Sequence, residues 1–374
     1  MKNLFYYIKK FGSLSFDKFP INEVDSLILS QLSYLNLEHF VPELKQKAQA
    51  VRLKNIIRKQ ENILTLCKET LDERRNIKLL RLMQKTSRFD DMMLNYYANQ
   101  FNVEKVEQFC AVTFIFPHFL YVAFRGTDLT LLGWKENFSM SFLDVIPSQA
   151  DASLYLEKIA QYEEKDFYVG GHSKGGNLAV YASLYATKEI RDRILIIYNH
   201  DGPGFQVDIF SKRQYKDIEH KIDKTSCKEA LVGILLYHSE KIRFVNSRSV
   251  GIFQHDPYNW EITKNGRFKL IKRSNLVSKV FEKTVSEFIE VTSIEDRRRF
   301  LDITFKILME HHNSTIFDIK RHPIKYFFGM KKRYALLSLQ ERKLFKKILK
   351  RYRILWKHNF KFYLKRKIHF KDRV

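Results

Sequence analysis

The sequence contains a serine flanked by glycines, Gly-His-Ser-Lys-Gly at residues 171–175, and this motif limits the possible folds more than any other. A short apolar run, Phe167–Val169, precedes it, and helical spacing continues from Gly175 to about Thr187. A serine at a sharp strand-to-helix turn is the arrangement of a nucleophile elbow. The pattern therefore predicts an α/β fold with a reactive Ser173. The alternative is a glycine-rich turn without chemistry.

The residues around Ser173 carry separate predicted roles. Gly171 and Gly175 leave room for the chain to fold back while the hydroxyl of Ser173 projects from the turn. The following helix directs its first main-chain N–H groups and the positive end of its dipole toward the reaction centre. We therefore expect the N–H of Lys174 to donate to an oxyanion, with the Lys174 side chain in solvent.

The pattern of apolar residues divides the chain into three segments. Residues 1–90 have helical spacing and are predicted to form a helical cover segment. Residues 91–270 alternate short apolar runs with helical stretches, which is typical of strands wound with helices in an α/β core. Residues 271–374 are predicted to form a cationic helical extension, with helices near 275–290, 294–311 and 333–356.

Within the core segment, local patterns predict individual elements. Ala111–Phe116 and Phe119–Phe124, separated by a proline and a histidine, are typical of a hairpin. Helical spacing marks Gln149–Tyr162, and a further strand is predicted at Ile194–Tyr198.

A serine nucleophile needs a histidine base within hydrogen-bond reach and an acid that orients this base. In α/β hydrolases the chain order is serine, acid, histidine. His255 follows the last candidate core strand and is the predicted base, with a packed or surface histidine as the alternative. His238 is the second candidate, and His172 is expected to point away from the base position.

The predicted acid is Asp201, which follows the strand at Ile194–Tyr198 in an Asp-Gly-Pro-Gly turn. Active sites of α/β sheets gather at this carboxyl edge. The alternative is an aspartate that only stabilises its own turn. Three other carboxyl groups fit the role less well, those of Asp223, Glu240 and Asp256.

Upstream of the serine, Val122–Asp128 has the pattern of a strand entering a tight turn, and it contains Phe-Arg-Gly-Thr at residues 124–127. This turn together with Gly-His-Ser-x-Gly-Gly resembles the class-three lipases, an α/β-hydrolase group. The resemblance implies a second oxyanion donor at Thr127, through its main chain or its hydroxyl. Arg125 is then expected to anchor the turn. An ordinary aspartate-stabilised turn is the alternative.

A longer series of segments resembles a bacterial lipase-like family of unassigned function, the Mbeg-type proteins, which share the hydrolase core. The resemblance covers roughly residues 15–265 and leaves the cationic end unexplained. The matching segments are Val24–Tyr34, Gly133–Asn137, Pro147–Gln149, Gly171–Asn177, Asp201–Phe205 and Gln254–Pro257.

The net charge of +24 is concentrated near one end of the chain. Residues 321–374 contain 19 lysines and arginines against two acids. Such a block is typical of segments that bind polyanions, and an anionic membrane surface or a nucleic acid would supply one. A solvated helical face is the alternative.

The predicted function is a serine hydrolase of the esterase or lipase type, which cleaves a small-molecule or lipid ester through an acyl-enzyme on Ser173. No cofactor or metal is expected, and Walker A, H-E-x-x-H and Rossmann motifs are not found in the sequence. The alternative is a catalytically silent hydrolase-fold protein that binds an anionic membrane or another polyanion through its basic helices. Nucleic-acid binding is the least expected, because no recognised module is present.

The cysteines and the apolar runs of the sequence indicate the cellular location of the protein. Three widely spaced cysteines do not suggest a disulfide framework, and Lys9 and Lys10 interrupt any signal-peptide core. The sequence contains no run of about 18 apolar residues. We expect a cytoplasmic protein, with attachment to a membrane surface left open.

Overall fold

The computed structural model of the protein describes residues 2–45, 48–128, 130–229, 231–272, 276–311, 314–315, 319 and 321–371. The described residues form one nine-stranded sheet in which the strands follow their order in the chain. The strands are β1 Val51–Arg52, β2 Met93–Asn102, β3 Glu107–Ile115, β4 Leu120–Phe124, β5 Phe167–His172, β6 Ile194–His200, β7 Ile222–Cys227, β8 Ile242–Val245 and β9 Leu270–Ile271.

The sheet is mixed. Strands β1 to β4 pair antiparallel, β4 to β8 pair parallel, and β9 pairs antiparallel with β8. The predicted hairpin is confirmed by the pairing of β3 with β4, where Ile115 lies opposite Leu120. Because β4 to β8 are parallel, their carboxyl ends meet at one edge of the sheet, where α/β proteins place their sites.

Helices cover both faces of the sheet, and the fold is of the predicted α/β class. The predicted helices at 149–162 and 175–187 are present, and so are the first two helices of the extension. The helices are α1 Leu4–Phe11, α2 Glu23–Leu32, α3 Leu53–Ile56, α4 Gln60–Cys67, α5 Glu73–Met83, α6 Leu131–Ser139, α7 Pro147–Tyr162, α8 Lys174–Tyr185, α9 Lys188–Arg193, α10 Arg213–Glu219, α11 Leu276–Val291, α12 Ile294–Leu308, α13 Pro323–Ala335 and α14 Leu339–Lys371.

The prediction of a single helix near 333–356 is wrong, because a break at residues 336–338 separates helix α13 from helix α14. The break is stabilised by a reciprocal cap. The hydroxyl of Ser338 accepts the N–H of Glu341 at 3.2 Å, and the Glu341 carboxylate accepts the N–H of Ser338 at 2.6 Å. In the described part of the chain, no helix combines the length and the apolar character needed to cross a membrane.

The sheet separates two hydrophobic cores, and β3 contributes to both. Side chains alternate between the two faces of a strand. Cys110, Val112 and Phe114 therefore pack in the core formed with the amino-terminal helices, whereas Phe109 and Ala111 pack in the core formed with α7 and α8. The amino-terminal helices thus pack on one face of the sheet, where α2 lies against β4, β5 and β6.

The first helix is tied to residues far along the chain. The Asn3 side chain donates to the main-chain oxygen of Tyr258 at 3.0 Å, and the N–H of Ile262 donates to the oxygen of Lys2 at 2.8 Å. These bonds fix α1 beside the segment that follows His255.

Candidate active site

Ser173 lies at the turn between β5 and α8 with a φ of 59° and a ψ of −133°. This region is strained for a residue other than glycine, and a nucleophile elbow requires such a backbone. The flanking glycines allow the turn to pack against β4. A Cβ atom on Gly175 would lie 2.1 Å from the main-chain oxygen of Phe124, and one on Gly171 would lie 2.3 Å from the carbonyl carbon of Gly175.

Asp201 and His255 meet at the same edge of the sheet. Asp201 directly follows β6, and its N–H donates to the main-chain oxygen of Thr225 at 2.7 Å. Its Oδ2 lies 2.6 Å from Nδ1 of His255, in the orientation that holds the imidazole in one tautomer. Burial alone would raise the pKa of the Asp201 carboxyl, but the hydrogen bond and charge of His255 hold this pKa below its usual value.

His172 connects the elbow to this pair. Its Nε2–H donates to the main-chain oxygen of His255 at 2.9 Å, and the two imidazole rings lie 4.5 Å apart. Burial and the nearby charge of His255 lower the pKa of His172 to about 3, so the ring is neutral at pH 7. His172 therefore positions the backbone that carries His255, a role that sequence reasoning missed.

The hydroxyl of Ser173 makes no hydrogen bond among the described residues, and only 7% of the Ser173 surface is exposed. Ser173 follows His172 in the chain, and the ring of His255 contacts the ring of His172. The Ser173 hydroxyl and the His255 ring make no hydrogen bond to each other. Hydrogen bonds of this kind are often long in unliganded enzymes and shorten when substrate binds.

The turn at residues 125–127 packs against the serine. A Cβ atom on Gly126 would lie 2.5 Å from the oxygen of His172 and 3.1 Å from Cβ of Ser173. Within the described residues, the buried Oγ1 of Thr127 has no hydrogen-bond partner. The N–H of Lys174, at the first position of α8, has no partner inside that helix. These two donors are the ones that the sequence suggested for an oxyanion.

The side chain of Lys174 is fully buried, so the expectation that it lies in solvent is wrong. Its Nζ donates to the carboxylate of Glu136 at 2.5 Å and to the main-chain oxygen of Gln108 at 2.5 Å. Glu136 also accepts the N–H groups of Gln108 at 3.2 Å and Ser148 at 3.0 Å. A buried lysine needs such a counter-ion, because an unpaired charge in the interior is costly.

Amide side chains support the turn that begins at Asp201. Asn177 donates to the main-chain oxygens of Pro203 at 3.2 Å and Gly204 at 2.9 Å, and it accepts a hydrogen bond from Gln149 at 2.8 Å. These contacts give a structural role to three of the segments that carry the family resemblance.

The other candidates are paired elsewhere. Nδ1 of His238 lies 2.9 Å from Nζ of Lys224, away from Ser173. Each remaining carboxyl group faces a cation: Asp223 with Arg243, Asp256 with Arg75 and Glu240 with Lys224.

A cavity of about 600 Å³ opens beside the 125–127 turn. Arg125 lines it and also contacts Asn99 at 3.2 Å and Asp128 at 3.9 Å, so this residue does anchor the turn. Tyr34 lines the same cavity, and its hydroxyl donates to the main-chain oxygen of His172 at 3.3 Å. Arg321, Lys325 and Tyr326 of the extension also line the cavity.

The mixed sheet, with its parallel half and the strand–Ser173–helix turn at the carboxyl edge, defines a protein of the α/β-hydrolase class. Over residues 83–306, more than half of the chain, the sequence matches the model of the Mbeg1-like family. The chain therefore belongs to the Mbeg1-like family, a lipase-like group.

Two solved lipase structures are similar to the chain, each at 15% identity. The Rhizomucor miehei lipase in complex with its propeptide has a TM-score of 0.29, and the match covers 42% of this chain and 57% of the lipase. For the M37 lipase the TM-score is 0.36, and the match covers 66% of this chain and 84% of that one. No curated protein shows significant sequence similarity.

Proposed function

We propose that the protein is a serine hydrolase of the esterase or lipase type that forms an acyl-enzyme on Ser173. The observation that carries this proposal is the 2.6 Å contact between Asp201 and His255 beside the strained turn of Ser173. A strained serine next to a histidine–carboxylate pair is the arrangement that activates a hydroxyl for attack on a carbonyl.

In the proposed reaction, Ser173 Oγ attacks the acyl carbonyl while Nε2 of His255 takes its proton. Asp201 holds the Nδ1–H and stabilises the imidazolium that forms. The tetrahedral intermediate then collapses, the C–O bond to the alcohol breaks, and His255 protonates the leaving alcohol. Water, deprotonated by His255, attacks the acyl-enzyme and releases the carboxylic acid and free Ser173.

The oxyanion of each tetrahedral intermediate would accept hydrogen bonds from the N–H of Lys174 and from Thr127. The Thr127 hydroxyl has no hydrogen-bond partner among the described residues, which favours its side chain over its main chain as the donor. Each such donor contributes on the order of 3 kcal/mol in the transition state.

Intact-mass labelling with a fluorophosphonate tests this proposal. We expect one label on the wild-type protein, no label on Ser173→Ala, and labelling slowed by at least about 100-fold in His255→Ala and Asp201→Asn. Ser211→Ala, which removes a serine outside the site, is the matched control and should label like the wild type. Circular dichroism establishes that each variant is folded.

A folded wild-type protein that stays unlabelled, also in the presence of vesicles, would contradict the proposal. Labelling that persists in Ser173→Ala would assign the reactive group elsewhere. The catalytically silent alternative would be the better account of a protein that stays unlabelled.

A further inference from the structure

Helix α13 presents an apolar face to the exterior. Ile324, Phe327 and Phe328 have the i, i+3, i+4 spacing of one helix face and are 73%, 50% and 62% exposed. The opposite face carries Tyr326, which is buried and donates from its hydroxyl to the main-chain oxygen of Leu308 at 2.8 Å. The helix is thus fixed on α12 by one face while large apolar side chains occupy the other.

Cations surround this apolar face. Helix α13 contains no acidic residue, and Lys325, Lys331 and Lys332 are exposed. Nζ of Lys331 lies 5.4 Å from the centre of the Phe327 ring. A helix that combines an apolar face with exposed lysines has the composition of helices that lie in a membrane interface.

We propose that α13 docks the protein on the surface of an anionic lipid bilayer. The phosphates of anionic headgroups would pair with the lysines, and the three apolar side chains would enter the boundary between headgroups and acyl chains. A second copy of the chain is a poorer occupant, because each copy carries a net charge of +24. A nucleic acid would pair with the lysines but would leave the apolar face in water.

The docked helix would stand beside the cavity described above. Lys325 and Tyr326 of α13 line this cavity together with Tyr34 and Arg125, which flank the Ser173 turn. A bilayer on α13 would therefore bring acyl esters to the active-site side of the molecule. This last step rests on the proposed hydrolase function, whereas the docking itself does not.

Sedimentation of the full chain with vesicles tests the docking. We expect binding to vesicles of phosphatidylcholine and phosphatidylglycerol at 3:1 and little binding to pure phosphatidylcholine. The variant Ile324→Ser/Phe327→Ser/Phe328→Ser should lower the partition coefficient at least about tenfold. Its matched control, Leu64→Ser/Leu154→Ser/Leu195→Ser, replaces three exposed leucines outside the extension and should bind like the wild type.

Two charge-reversal variants distinguish binding through α13 from binding through the overall positive charge of the extension. Lys325→Glu/Lys331→Glu/Lys332→Glu should abolish binding, whereas Lys343→Glu/Lys346→Glu/Lys350→Glu, with the same change in α14, should retain most of it. Equal losses in both variants would overturn a site on α13. So would stronger binding to single-stranded DNA than to vesicles, or a concentration-dependent dimer that buries the same residues.

The Ser173→Ala variant distinguishes the two proposals. It should bind vesicles as the wild type does even though it lacks the nucleophile. A wild-type protein that binds vesicles but is not labelled by the fluorophosphonate would leave the docking intact and remove the hydrolase function.

Discussion

At the scale of single residues, Lys174 joins two parts of the site. Its main chain supplies the first N–H of α8, and its ammonium group is buried against Glu136 on α6. The contact between the Lys174 ammonium group and Glu136 thus holds the backbone of Lys174, whose N–H is a proposed oxyanion donor.

Replacing Lys174 tests this contact. Lys174→Met leaves the Glu136 carboxylate buried without its cation, and we expect the free energy of unfolding to fall by about 3–5 kcal/mol. The double variant Lys174→Met/Glu136→Gln removes both charges and should recover most of this loss. Urea denaturation measures both, and a loss below about 1 kcal/mol in the single variant would contradict the inferred coupling.

The identities of the proposed triad could be predicted because simple rules govern them. Chain order and strand ends selected Ser173, Asp201 and His255 as candidates, and of these the structure brings Asp201 and His255 into contact at 2.6 Å. The burial of Lys174 could not be predicted, because its partner Glu136 lies 38 residues earlier and on a different helix. Contacts of this kind depend on how separate elements pack, which local patterns do not reveal.

At the scale of elements, the distance between α8 and β4 is set by the absence of a side chain at Gly175. A Cβ atom there would overlap the main-chain oxygen of Phe124, and neither backbone segment can move without shifting the serine. Gly329, on α13, is the contrasting case, since the nearest atom to its Cβ position belongs to the flexible end of Arg333 at 3.2 Å.

These two glycines give opposite predictions for the same substitution. Gly175→Ala should lower the free energy of unfolding by about 3 kcal/mol or more through overpacking, and fluorophosphonate labelling should be lost with it. Gly329→Ala should raise helix stability by up to about 1 kcal/mol, because alanine is the better helix former. Thermal unfolding, monitored by circular dichroism, measures the stability of both variants. A harmless Gly175→Ala would mean that α8 and β4 can separate.

Element types were predicted better than element ends. The hairpin of β3 and β4 and the helix α8 follow from short-range patterns that the structure bears out. The break between α13 and α14 was missed, although Ser338 and Glu341 have the spacing of a capping box. The continuous apolar and cationic pattern across the break concealed it.

At the scale of the whole molecule, buried histidines make stability depend on pH. Burial lowers the pKa of His172 to about 3 and, with the charge of Lys224, that of His238 to about 4. In the unfolded chain a histidine titrates near pH 6.5. Below that pH the unfolded state binds protons that the folded state does not, so the free energy of unfolding decreases as the pH falls.

His238→Gln isolates one of these contributions. Between pH 7 and pH 5 the free energy of unfolding should fall by about 2 kcal/mol less in this variant than in the wild type. The variant must be compared with the wild type, because burial and Glu107 raise the pKa of Asp151 to about 7. Asp151 therefore increases the free energy of unfolding as the pH falls from 7 to 5, which is opposite to the effect of the histidines. Urea denaturation at both pH values measures the difference, and parallel profiles would show that His238 is protonated in the fold.

The bonds from Lys2 and Asn3 to the segment after His255 also set an order of events during protein synthesis. Asn3 and Tyr258 are separated by 255 residues, which a ribosome takes roughly 13–50 seconds to add at about 5–20 residues per second. During that interval α1 can already pack on α2 and α5, for example through the hydrogen bond from Asn22 to the Tyr7 hydroxyl, but the bonds of Lys2 and Asn3 to the segment after His255 cannot form. Helix α1 therefore leaves the ribosome long before the segment that completes its contacts, and a nascent-chain chaperone has that long to bind it.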